Sequence, residues 1–180
     1  MKLCVRVKRL NKDLPLPVQA TAGSAGVDLY ASIDEAIVIH EGDTVVIPTG
    51  IAVEIPPNFE MQVRPRSGLA VKQNITVLNT PGTIDSDYRG EVGVVLYYAP
   101  TRKGLIDLIV EKAFDIGLLP LAVRNKLAPQ NRAVVISPKD RIAQAVFAQY
   151  EQVHFMEVQE LSQTQRGEGK FGHTGVKQNG

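Results

Sequence analysis

The chain has 180 residues, long enough for one domain with a real core and short for two. Its 20 Lys and Arg against 19 Asp and Glu are dispersed, which excludes a broad electrostatic footprint for nucleic acid or anionic lipid. Cys4 is the single cysteine, which excludes an internal disulfide and a multi-cysteine metal site and fits a reducing compartment.

The N-terminal stretch MKLCVRVKRLNKDLP alternates charge with apolar residues and has no run of signal-peptide length. No segment has the apolar length that crosses a bilayer, so the expected location is the cytoplasm, with no membrane partner. Leu3, Val5 and Val7 alternate with Cys4, Arg6 and Lys8, the period-two pattern of a strand with one buried face. Similar runs follow at VDLYA (27–31), AIVIH (36–40), TVVIP (44–48), IAVEIP (51–56), ITVL (75–78), VGVVLYY (92–98), AVVIS (133–137), IAQAVFAQ (142–149) and HFMEV (154–158). Turn formers separate them: HEGD, PTG, PPNF, NTPG and SPKD. Many short strands at close spacing predict an all-β fold, a sandwich or jelly roll rather than βαβ units.

Two segments break the rhythm. Between Thr101 and Gln130, Leu105, Leu108, Ile109, Lys112, Ala113 and Ile116 recur at threes and fours, which predicts a short amphipathic helix ending near Gly117. The tail 162–180 is glycine-rich with few apolar residues, so it is either a disordered end or an arm that orders on a ligand. The expected division is therefore a β domain over 1–161 followed by that arm.

Candidate chemistry falls in four places. RPRSGLA (64–70) sets Arg64, Arg66 and Ser67 before Gly68: forked guanidinium donors, a hydroxyl and an unobstructed backbone suit phosphate oxygens, although a polar turn opening a short helix has the same composition. In DRIAQAVF, Arg141 and Gln144 are three apart and are expected on opposite faces of a strand, one structural and one toward a ligand. In the tail, Arg166 beside Gly167, and Phe171 beside Gly172, read as a lid: an arginine for phosphate and a ring that stacks on a planar ligand. The fourth is NTPGTIDSDYRGEVGVVL (79–96), predicted as a hairpin around Pro81-Gly82. Its tip exposes Asn79 and the backbone of Thr83 to Asp85 to the edge of a flat heterocycle. The Asp85 carboxylate is placed to take a proton from water, and Tyr88 forms a rigid wall. A solvated turn with an internal ion pair among Asp85, Asp87 and Arg89 is the alternative.

Taken together, AGVDLYA (25–31), RPRSGLA, NTPGTIDSDYRGEVGVVL, DRIAQAVF and RGEGKFGHTG (166–175) resemble, in order, the five motifs of the trimeric dUTPase family. The resemblance implies a distorted jelly-roll-like β fold and a homotrimer with active sites between subunits. It further implies Mg²⁺-assisted hydrolysis of dUTP to dUMP and pyrophosphate, which supplies dUMP and keeps uracil out of DNA. Carried over by position, Asp85 activates the water that attacks the α-phosphorus. Asn79 with the backbone of Thr83 and Ile84 reads uracil, and Tyr88 packs on the deoxyribose. Arg66, Ser67, Gly68 and Gln144 hold the triphosphate, and Asp28 hydrogen-bonds the water shell of Mg²⁺. Arg166 meets the γ-phosphate and Phe171 stacks on the base, while Arg141 is either structural or phosphate-facing.

Three departures from the family pattern are visible. Lys170 stands where the family usually has glycine, His173 where serine is more frequent, and the segment from Thr101 to Gln130 exceeds the usual connection. That segment holds none of the motifs, so a protein partner is a role open to it. A dCTP deaminase, or a bifunctional relative, shares the fold but lacks the Asp-x-x-Tyr-x-Gly pattern of Asp85, Tyr88 and Gly90. A regulatory module that keeps the fold and binds a partner through the insertion is the alternative from another class.

Overall fold

The computed structural model describes residues 3–99, 109, 112–113, 116–118, 133–164 and 166–168. In chain order its elements are β1 (Arg6–Arg9), β2 (Gly26–Tyr30), β3 (Ile37–His40), β4 (Thr44–Glu54), β5 (Phe59–Arg64), α1 (Ser67–Gln73), β6 (Ile75–Val77), β7 (Gly82–Ile84), β8 (Glu91–Tyr98), β9 (Ala133–Ile136) and β10 (Arg141–Gln149). Strands β1-β4-β8-β6 form one sheet, β2-β10-β5-β7 a second, and β3-β9 a two-stranded ribbon. Every ladder is antiparallel, as expected where short strands alternate one apolar and one polar face.

The core lies between the sheets. Val92, Val94, Leu96 and Tyr98 point inward from β8, Leu29 from β2, Met61 and Val63 from β5, and Ile142 and Ala145 from β10, all buried. The ribbon closes one side with Ile39 and Ile136. The expected all-β sandwich is therefore the observed architecture, and no helix among the described residues is long and apolar enough to cross a membrane.

Three local expectations change. TVVIP and IAVEIP are one strand, β4, and PTG is a fault within it: the register against β8 shifts between Pro48 and Ala52. Gly50 makes this possible with φ +70°, a conformation that disfavours any side chain. Next, ITVL and VGVVLYY do pair directly, as β6 with β8, but the segment between them is no simple hairpin tip. It crosses to the other sheet, where β7 pairs with β5. Finally, HFMEV forms no strand. Residues 151–158 are exposed throughout, Phe155 to 91%, so the period-two pattern there has no partner strand among the described residues.

The helix expected before Gly117 is present as far as the structure describes it. Ile109, Lys112 and Ala113 are helical. Gly117 has φ +74°, and Leu118 N–H donates to the Ala113 carbonyl at 2.8 Å, the closing bond of a glycine-terminated helix.

Candidate functional site

β10 sits between β2 and β5, and its pairings place Asp28, Gln144 and Arg64 side by side across three strands. Asp28 is buried to 9% exposure although it is charged, so its carboxylate needs partners. It has three: Arg66 Nε at 3.0 Å from Oδ1, Arg141 Nη1 at 3.1 Å from Oδ2, and Gln144 Nε2 at 3.4 Å from Oδ1. Arg66 also donates from Nη1 to the Arg141 carbonyl at 3.1 Å. Three segments distant in sequence thus converge on one carboxylate.

The expectation that Arg141 and Gln144 lie on opposite faces is wrong. The β10–β2 register shifts between Arg141 and Ala143, so one extra residue is accommodated and Ile142 and Ala143 are both buried. The bulge turns Arg141 back to the side of Gln144. Its only trace in the sequence is the pair of consecutive apolar residues, Ile142 and Ala143, which interrupts the alternation.

RPRSGLA opens a short helix, as its turn reading expects. Arg64 ends β5 and its side chain donates to Gln62 Oε1. Arg66 is the N-cap residue of α1, and no side chain caps the helix. Ser67 and Gly68 are exposed in its first turn. A Cβ on Gly68 would meet nothing within 4 Å, so the chain itself does not demand glycine there. The space over that backbone stays open toward solvent.

Beside this region runs the crossing from β6 to β7. Gly82 pairs with Val63, the last residue of β5 before Arg64 in the β5–β7 ladder. The Asn79 amide lies against Gly82, where an added Cβ would be 3.0 Å from its Nδ2. β7 is the edge strand of its sheet, so one side of the backbone at Thr83 and Ile84 faces away from β5 and offers N–H and C=O groups outward. Asp85 follows at the end of β7 and is exposed, with no side-chain partner among the described residues. Among the described residues Asp28 is in contact with Arg66, Arg141 and Gln144 but not with Asp85.

The 85–91 turn is tied internally by backbone contacts rather than by the ion pair considered for it. Tyr88 N–H donates to the Asp85 carbonyl at 3.2 Å. Arg89 Nη1 donates to the carbonyls of Ser86 and Tyr88 at 2.7 and 2.9 Å. The Tyr88 hydroxyl donates to the Glu91 carbonyl at 3.0 Å, and the Glu91 carboxylate accepts from Gly50 N–H at 2.8 Å. Glu91 and Gly50 are contributions that sequence reasoning missed, because nothing local links a β8 glutamate to a β4 glycine 41 residues away.

In the tail, Arg166 is exposed and Gly167, with φ +49°, closes a turn onto Thr164. Phe171 and Gly172, like Lys170 and His173, lie outside the described residues. Among the described residues no cluster of His, Cys, Asp and Glu could hold a metal ion by itself.

The dUTPase family profile matches residues 12–105 and 125–175. A deoxyuridine 5'-triphosphate nucleotidohydrolase of Fusobacterium nucleatum is 42% identical over 172 residues, covering 95% of this chain and 97% of that protein. Among solved structures, the dUTPase of Staphylococcus bacteriophage 80alpha with dUpNHpp superimposes with a TM-score of 0.73 at 24% identity, over 96% of this chain and 99% of that one. A mutant dUTPase of S. aureus phage phi11, described with a structural Mg(II) ion, gives 0.66 at 23% identity over 89% of this chain and 99% of that one.

Proposed function

The chain belongs to the dUTPase family, and from that premise we propose that it hydrolyses dUTP to dUMP and pyrophosphate, supplying dUMP and keeping uracil out of DNA. The observation that carries the reading is the convergence of Arg66, Arg141 and Gln144 on Asp28, in the sheet whose far edge strand is β7. Cationic and amide donors at one end of a sheet suit a triphosphate, and an open strand edge suits the hydrogen-bonding edge of a base.

Within this reading Arg66, Ser67, Gly68 and Gln144 hold the triphosphate, and the open backbone at Gly68 lets an oxygen approach closely. Asn79 and the backbone of Thr83 and Ile84 take the uracil edge. Tyr88 packs against the deoxyribose, where a 2′-hydroxyl would collide. Asp85 orients the attacking water and accepts its proton, so that the water attacks the α-phosphorus in line with the departing pyrophosphate. Arg166 meets the γ-phosphate, and Phe171, followed by Gly172, closes over the base.

A Mg²⁺ ion fits this donor set only as a substrate-borne ion that keeps its waters. Each oxygen of Asp28 already accepts from a guanidinium, and Oδ2, which has no second donor among the described residues, keeps lone-pair capacity for a metal-bound water. When bound, the ion would neutralise phosphate charge. The homotrimer that the family resemblance implies, with active sites between subunits, is part of this reading. Thr101 to Gln130 carries none of these roles; a protein partner there, in a cytoplasmic enzyme, is the further part of the proposal.

The test is pyrophosphate release from dUTP, dTTP, UTP and dCTP side by side. Selective turnover of dUTP is expected. Ammonia release from dCTP, or equal turnover of all four, would overturn the assignment.

A further inference from the structure

Gly90 has no positive φ, so its backbone does not demand glycine. What excludes a side chain there is Tyr88. A Cβ built on Gly90 would lie 2.3 Å from the Tyr88 hydroxyl oxygen, 2.6 Å from Cζ and 3.1 Å from Cε2. The phenol is therefore folded back flat onto the α-carbon two residues on. Its N–H and hydroxyl are both tied within the same turn, to the carbonyls of Asp85 and Glu91. The turn is in turn tied to the body of the fold, because the Glu91 carboxylate accepts Gly50 N–H at 2.8 Å. Gly50 is a fixed point: its carbonyl accepts from Leu10 and Asn11 N–H at 2.8 and 3.1 Å, and Asn11 and Ser32 crowd its α-carbon.

We propose that Gly90 and Glu91 are positioning residues for sugar recognition: Gly90 leaves the space that sets the angle of the Tyr88 ring, and Glu91 locks the turn carrying that ring to the β4 fault at Gly50. Neither residue touches the nucleotide in this assignment. The inference rests on the reading of Tyr88 as the wall beside the deoxyribose. A small displacement of such a wall matters, because steric rejection of one hydroxyl depends on ring placement at the level of an ångström. Tyr88 is a terminal, 43% exposed side chain, so a methyl group at Gly90 displaces the ring rather than breaking the fold.

The test compares Gly90→Ala, Glu91→Ala, Glu91→Gln and Tyr88→Ala in the full-length protein, with kcat and KM for dUTP and UTP and thermal melting of each variant. Gly90→Ala and Glu91→Ala are expected to melt cooperatively and to lose about 10- to 10²-fold of the preference for dUTP over UTP. Glu91→Gln, whose amide oxygen still accepts Gly50 N–H, restores the preference that Glu91→Ala loses. If Tyr88→Ala abolishes the preference while Gly90→Ala retains it, or if Glu91→Gln fails as badly as Glu91→Ala, the positioning role is overturned and the wall stands. If Tyr88→Ala retains the preference, the wall itself is overturned, and the positioning role with it. Should Glu91→Ala not fold, Gly90→Ala decides alone.

Discussion

Arg141 Nη1 lies 3.1 Å from Asp28 Oδ2 because β10 carries one extra residue at the point where the two strands meet. A regular strand would have sent Arg141 to the face opposite Gln144. The bulge thus converts a polar pair on two faces into two donors on one acceptor. Asp28→Asn keeps the shape and removes the charge that holds Arg66 and Arg141. It is expected to lower dUTP turnover about 10- to 10²-fold and the unfolding free energy by about 1–3 kcal/mol. Steady-state kinetics and urea denaturation check the two figures, and wild-type turnover would remove Asp28 from the organisation of the site.

Asp85 stands apart from that cluster, exposed at the end of β7. Its replacement should be nearly silent structurally and severe chemically. Asp85→Asn is expected to bind dUTP like the parent, by calorimetry, while kcat falls by about 10²- to 10⁴-fold, the usual contribution of a positioned base. A variant as active as the parent would require another base.

Gly50 offers a test on stability. Its φ of +70° and the 2.9 Å approach of a would-be Cβ to Asn11 Cβ and Ser32 Oγ leave alanine strained twice over. Gly50→Ala is expected to cost about 1–3 kcal/mol, read as a lower urea midpoint with an unchanged slope.

The arm proposed to begin at Arg166 calls for a different kind of test. Removal of residues 166–180 is expected to suppress turnover strongly while light scattering still reports a trimer, because the proposed roles of Arg166 and Phe171 concern the bound nucleotide alone. Loss of the trimer on truncation would instead make the arm part of the assembly.

Much of this was legible in the sequence because the relevant physics is local. The apolar runs matched β2, β3, β6, β8, β9 and β10 nearly to the residue, most clearly β8, whose burial alternates along its whole length. Gly117 ended the helix as its freedom at positive φ allows. The failures are equally physical. The faults at Gly50 and Ile142 depend on hydrogen bonds and burial supplied by distant segments, so PTG looked like a turn and Arg141 looked misdirected. β5 and β7 were absent from the reading because FEMQVR mixes charge into its alternation and GTI is too short to show a period. HFMEV shows the converse: alternation alone makes no strand where no strand among the described residues pairs with it. Of the site, the residue types were readable and the contacts were not, because Asp28, Arg66 and Arg141 meet only after three strands have paired.

The chain leaves one sheet at Val77 and enters the other at Gly82, so the edge proposed to read the base is a stitch through both layers of the sandwich. Separating the layers would pull that stitch before either sheet had lost its own ladder. Such a construction couples recognition to global integrity: it leaves little room for a folded but base-blind form, and ties the loss of catalysis on denaturation to the parting of the sheets.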